Sequence, residues 1–146
     1  MNRLNGTATI SCTHLKLQCV SRVVARHYDA YLADSGLRGS QYALLCNIQR
    51  HEPVRPSDLA SRLFVNNSTI TRTIRTLRRR GLVACIAGND DRSRHVSLTE
   101  EGRRTLQSGQ RDWRRAQRAL AARLGTADVG QLHELLDRVA DLLEQP

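Results

Sequence analysis

The chain has 146 residues, enough for one domain or two small lobes that share a core. Apolar residues make up 40% and aromatics only 3%, so the interior must be aliphatic, and the abundant Leu, Ala and Arg favour helix. The net charge of +9 draws phosphate backbones from a distance, and no apolar run approaches the roughly 18 residues of a membrane span. Residues 1–10, MNRLNGTATI, hold no apolar stretch of signal-peptide length, so a cytoplasmic location and four reduced Cys thiols are expected.

A first long helix is predicted over residues 11–33, where Leu17, Val20, Val24, Tyr28 and Tyr31 recur at helical spacing and Asp34-Ser35-Gly36 ends the run. A second follows over residues 40–51, with Ser40 as its N-cap and Tyr42, Leu45, Cys46 and Gln49 along one side. Pro53 stops it, and Val54-Arg55 fits a very short strand. Pro56-Ser57-Asp58 opens a third helix with Leu59, Ala60 and Leu63 apolar, and Phe64-Val65-Asn66 forms a turn. Asn66 or Asn67 caps a fourth helix over residues 67–80, with Ile70, Ile74 and Leu77 inward at i, i+4 and i+7. Gly81 fits the left-handed residue that closes such a helix. Leu82 to Ile86 and His95 to Leu98 read as two strands about a Gly/Asn/Asp loop, a β-hairpin wing.

Thr99 caps a fifth helix, and Glu100 and Glu101 complement the positive end of its dipole. Leu106, Trp113 and Leu120 recur every seven residues, with Ala116 and Leu124 alongside, as a seam. Gly125 breaks that helix and Thr126 caps a last one, striped by Leu132, Leu135, Leu136, Val139, Leu142 and Leu143. The fold class is mainly α with a small β-wing. The order is helix, helix, short strand, helix, helix, strand, strand, helix, helix. Residues 37–98 form a winged helix-turn-helix lobe suited to DNA, and residues 10–36 and 99–146 a helical dimerisation region. The flanking stripes are too one-sided for a bundle of their own, and a second copy would bury them. Two reading helices about one DNA turn apart also suit a pseudo-palindromic operator.

Major-groove reading needs short polar side chains for close approach and long donors for base edges. Opposite Ile70 and Ile74 stand Ser68, Thr69, Thr71, Arg72 and Arg75. Arg72 is assigned to a guanine edge, because Arg donates twice to O6 and N7, and the hydroxyls to phosphates or thymine methyls. Arg78, Arg79 and Arg80 end the helix, where cations complement its dipole, and a run of three must point several ways. Arg78 is taken as a phosphate contact. The wing loop carries Arg92 and Arg94, suited to the negative potential of a narrow minor groove, while Asp91 orients a nearby Arg.

Three segments carry a family resemblance: Gly36-Leu37 with Gln41 to Leu45, Leu59-Ala60 through Thr69 to Arg72 and on to Val83, and Asp91 to Gly102 running into LTEEG. In this order and spacing the chain resembles the MarR family of bacterial transcription regulators over roughly residues 12–145. The resemblance implies an obligate, triangular homodimer, an operator near its own gene, Arg94 at the wing tip, and often a small-molecule or oxidant signal. An effector would lie between the dimer helices and the DNA-reading lobe, which makes His14, Gln18, Tyr42, Cys46 and Trp113 its expected neighbours. The basic chain and its Tyr and His donors suit an anionic aromatic ligand.

The cysteines offer a rival signal. Cys12 and Cys19 share a helix face about 10 Å apart, too far to bond each other, although Cys12 could reach a partner thiol across a dimer axis. Some relatives of this fold sense peroxides through an N-terminal helix Cys, but that position falls near His14. Cys46 reads as buried and inert, and Cys85 lies on a wing strand. The five His lack zinc-site spacing, so neither metal nor cofactor is expected. No Ser/His/Asp set, phosphate-cradling Gly loop or carboxylate pair suggests an enzyme. A non-specific architectural DNA binder is the remaining alternative.

Overall fold

Three helices close on residues with left-handed backbone, and these punctuate the computed structural model, which describes residues 12–87 and 94–144. Helix α1 (Thr13–Leu32) runs into a 3-10 turn, Ala33–Ser35, and stops at Gly36, where φ is 68°. Helix α2 (Gly39–His51) starts one residue earlier than expected. Arg38, not Ser40, holds the cap position, and its N–H donates to Gln41 Oε1 at 3.1 Å. The Gly39 N–H donates to Asp29 Oδ1 of α1 at 2.7 Å. This charge-assisted bond from a neighbouring helix does the work assigned to Ser40.

The strand expected at Val54-Arg55 shrinks to a single antiparallel bridge between Val54 and Val96. Pro56 begins α3 (Pro56–Arg62) two residues later, and a proline has no N–H to extend a ladder. Helix α4 (Asn67–Arg79) has Asn66 at its cap and ends at Gly81, φ 72°. Strands β1 (Val83–Ala87) and β2 (Arg94–Leu98) pair antiparallel from Val83 with Leu98 to Ala87 with Arg94, each shifted or extended by one residue from the sequence expectation. Thr99 then caps α5 (Glu100–Leu124). Its Oγ1 accepts from the Gly102 N–H at 3.0 Å and donates to the Gly81 carbonyl at 2.6 Å, which ties the end of α4 to the start of α5. Glu52 adds a second tie: one carboxylate oxygen accepts the Leu98 N–H at 2.7 Å and the other pairs with Arg103 at 2.6 Å.

The core runs from Leu32 to Leu106. Leu44, Leu45 and Ile48 of α2, Leu59 of α3, Ile70, Ile74 and Leu77 of α4, and Val83, Val96 and Leu98 of the hairpin are all buried. On α5 the buried face is Gly102, Leu106, Gly109, Asp112 and Ala116. The predicted seam is therefore rotated: Trp113 is 37% exposed at its edge and Leu120 is half-buried. Small residues at positions 102, 109 and 116 let α5 approach its neighbours closely, which a large side chain there would prevent. His27 Nε2 of α1 lies 2.9 Å from the Ala116 carbonyl, and the Tyr28 hydroxyl donates to Gln117. Helix α6 (Thr126–Glu144) includes Thr126 as its first residue, so Thr126 does not cap it. Gly125, φ 99°, makes the break. Only Val129 of α6 is buried, and the leucines of its stripe face solvent.

Candidate nucleic-acid interface

At about 100° per residue, Ser68, Arg72, Arg75 and Arg79 form the ridge of α4 farthest from Ile70, Ile74 and Leu77. All four are exposed. Thr69 and Thr71 flank the ridge on opposite sides and are exposed as well. Thr73 and Thr76, by contrast, donate back to the carbonyls of Thr69 and Arg72 at 2.9 and 3.2 Å. Their hydroxyls are thereby occupied within the helix.

Between α4 and the wing opens a cleft of about 440 Å³, lined by Thr71, Arg75, Arg78, Arg79, Cys85 and Arg94 among others. Arg78 thus faces the same space as the wing arginine. Arg79 does too, and its place on the ridge follows from the 3.6-residue period. Arg80 turns away and lies beside Gly36. Among the described residues no carboxylate forms an ion pair with Arg72, Arg75, Arg78, Arg79 or Arg94. Exposed cations beside short hydroxyl side chains form a surface for a polyanion with a readable edge. Arg92 and Asp91 lie outside the described residues.

A second concavity of about 580 Å³ lies between α1, α2 and α5. Tyr42, Cys46 and Trp113 line it, as the sequence suggested, and so do Tyr28, Asp29, Asn47, Arg50 and Gln110. The Tyr42 and Trp113 rings stack with centroids 6.2 Å apart and planes inclined by 18°. Burial, and then the Cys46 thiol beside it, push the Tyr42 hydroxyl far above its ordinary value, so it is a neutral donor at any physiological pH. Cys46 is half-buried rather than buried, and burial raises its thiol too, against smaller opposing effects of Tyr42 and Arg50. His14 and Gln18 do not line this space. They sit 3.0 Å apart on an exposed stretch of α1, about two to three turns before Ala25, the first residue of the helix to reach the cavity. Cys12, exposed, precedes α1, and Cys19 is partly covered. Among the described residues no group of three or more His, Cys, Asp or Glu could hold a metal ion, and no helix is long and apolar enough to cross a membrane.

The sequence model of the MarR family matches residues 37–95, the span from the α2 approach to the second wing strand. The transcriptional regulator MosR of M. tuberculosis, crystallised with DNA, is 31% identical and superposes with a TM-score of 0.76, over 92% of this chain and 99% of MosR. YwoH, an HTH-type transcriptional regulator of Bacillus subtilis, is 33% identical over 81 residues; the match covers 56% of this chain and 59% of YwoH. PcaV of Streptomyces coelicolor, solved with its natural ligand, shares the fold with a TM-score of 0.83 over 94% of this chain and 98% of its own, at 21% identity. With its helices, wing and exposed α4 ridge in that arrangement, the chain belongs to the MarR family of winged helix-turn-helix transcriptional regulators.

Proposed function

We propose that the chain is a homodimeric, sequence-specific DNA-binding repressor that a small anionic aromatic ligand releases from its operator. The observation that carries this reading is the ridge Ser68, Arg72, Arg75 and Arg79, exposed beside Arg94 of the wing and, among the described residues, without carboxylate ion-pair partners. Residues 37–98 act as the DNA-binding lobe. Residues 10–36 and 99–146 act as the dimerisation region, in line with the exposed apolar faces of α1 and α6. MosR, bound to DNA in its crystal, supports the choice of partner, and PcaV, bound to its natural ligand, supports a small-molecule signal.

The cavity supports a small-molecule signal. Tyr42 and Trp113 offer aromatic walls, Arg50 one cation and Asn47 and Gln110 neutral donors, which suits a ring with a single carboxylate. Asp29 on the same wall disfavours a second negative charge. The Cys46 thiol, pushed up by burial, is a poor thiolate at neutral pH.

The test is to enrich duplexes from a random-sequence pool and footprint the winners. A discrete, two-fold symmetric protected site is expected; uniform protection would leave only an architectural role. On the enriched duplex Arg72→Ala should cost about 1–3 kcal/mol and erase discrimination at one base pair. Arg94→Ala should weaken binding to every sequence and reduce the salt slope by about 1 per wing. Equal losses for Arg72→Ala on enriched and random duplexes refute the assignment. Thermal-shift screening of phenolic carboxylates should find a compound that raises the melting temperature and releases the duplex.

A further inference from the structure

The helices α1, α3 and α4 end through the same left-handed device, but not with the same residue. Gly36 and Gly81 serve α1 and α4, whereas α3 ends on Phe64, whose φ is 52°. The hydrogen bonds around it are those of a Schellman closure: Phe64 N–H to the Ser61 carbonyl at 3.2 Å and Val65 N–H to the Ala60 carbonyl at 3.0 Å. Glycine fills that position without cost, while a side chain there strains the backbone. Among the described residues Phe64 is the only non-glycine with positive φ, and it is the chain's single phenylalanine. Packing within the chain does not repay the strain, because the residue is 71% exposed and its neighbour Val65 is 40% exposed.

A strained, exposed aromatic persists where function uses it. Phe64 stands three residues before Asn67, the first residue of α4, and next to the run Asn66, Asn67, Ser68 and Thr69, all exposed. In a helix-turn-helix the helix before the turn crosses the sugar–phosphate backbone and the N-terminal part of the recognition helix enters the groove. The turn between them therefore meets the rim of the major groove. That rim offers apolar surface of one kind from two sources, thymine C5-methyl groups and deoxyribose carbons, and phenylalanine is among the side chains that contact the thymine methyl.

We infer that Phe64 is a DNA-contacting residue whose ring packs on the apolar rim of the major groove beside the N-terminus of α4. This rests on the reading of α4 as the recognition helix. The strain at position 64 is retained because the left-handed turn aims the ring at the duplex.

Phe64→Gly and Phe64→Asn both relieve the backbone, since each residue adopts left-handed φ readily, and both delete the ring. Each variant should melt about 2–4 °C higher than wild type and yet bind the enriched duplex about tenfold more weakly. Phe64→Leu keeps the strain and an apolar side chain, and should retain most of the affinity. Replacing thymine by uracil through the enriched site separates the two sources. If the methyl is the partner, wild type weakens and the gap to Phe64→Gly closes; if sugar carbons are, the gap stays. Gly and Asn variants that bind as tightly as wild type, while Arg72→Ala still loses discrimination, overturn this inference alone. Failure of the wild-type protein to bind any duplex overturns both it and the reading on which it rests.

Discussion

A methyl group added at Gly109 would sit 3.0 Å from Leu37 Cδ1 and 3.1 Å from Tyr42 Cδ2. Leu37 is buried and Tyr42 only half-buried, so the Tyr42 ring is the side that gives way, and that ring is a wall of the cavity between α1, α2 and α5, stacked on Trp113. Overpacking costs about 1 kcal/mol or more, but alanine is worth about 1 kcal/mol more than glycine inside a helix. The two largely cancel, so Gly109→Ala should leave the melting temperature within a few degrees of wild type while ligand titration shows a clear loss of affinity. Unchanged affinity would mean that Tyr42 does not form the wall. Cys46 reports on the same wall through pH. Its folded-state pKa is raised by burial, so its stabilising contribution is complete below the unfolded value of about 8.5 and disappears as pH climbs through the folded value. Wild type should therefore lose stability against Cys46→Ala in thermal melts as the pH rises above about 8.5. Tyr28 and Tyr42, also raised, add a later decline above about 10 that both proteins share.

The junction of α4, the wing and α5 is where elements meet most closely, and Gly102 is its measure. A Cβ at Gly102 would lie 2.0 Å from the Leu82 carbonyl oxygen, and every Leu82 atom it meets is backbone. No rotamer change relieves that overlap, so Gly102→Ala must push the start of α5 away from the hairpin. The Thr99 bonds to Gly81 and Gly102 break with it. A loss of about 3 kcal/mol or more is expected in urea unfolding, far above the usual effect of a surface glycine. The sequence announced much of this junction. Gly81, Thr99 and the acidic pair after it are local signals, and the Ile70, Ile74, Leu77 spacing names the buried face of α4 without knowledge of its neighbours. Contacts made across the chain were not legible. Asp29 carries no mark that its carboxylate will meet the Gly39 N–H, and a heptad count could not show that α5 would bury the narrow face through Gly102, Gly109 and Ala116. His14 and Gln18 were placed by family likeness on a helix whose cavity-facing stretch begins only at Ala25. Phe64 read as an ordinary turn residue because its backbone conformation is invisible in sequence.

At the scale of the whole molecule, α1 and α6 expose much of the apolar surface. Leu132, Leu135, Leu136 and Val139 of α6 are 37–55% exposed, Leu142 and Leu143 are 67% and 80% exposed, and α1 adds Leu15, Leu17, Val20 and Val23. Exposed apolar residues of this kind suit an interface, and burying a leucine contributes about 1.5–3 kcal/mol, so pairing through α6 and α1 is the expected way to cover them. Leu135→Glu combined with Leu142→Glu should therefore give a folded particle of 16.4 kDa by sedimentation, where wild type should give twice that mass. The melting temperature of wild type should rise with protein concentration and that of the double variant should not. Salt separates the two assemblies by sign. Each chain carries a net charge of +9, so added salt screens the repulsion between copies and favours the pair, while it weakens phosphate contacts and releases DNA. A wild-type protein that sediments as a single chain at micromolar concentration, or a double variant that stays paired, would remove α6 from the interface. A variant that is monomeric yet holds the palindromic duplex as tightly as wild type would break the link between pairing and recognition, since one α4 ridge would then suffice for a site built of two halves.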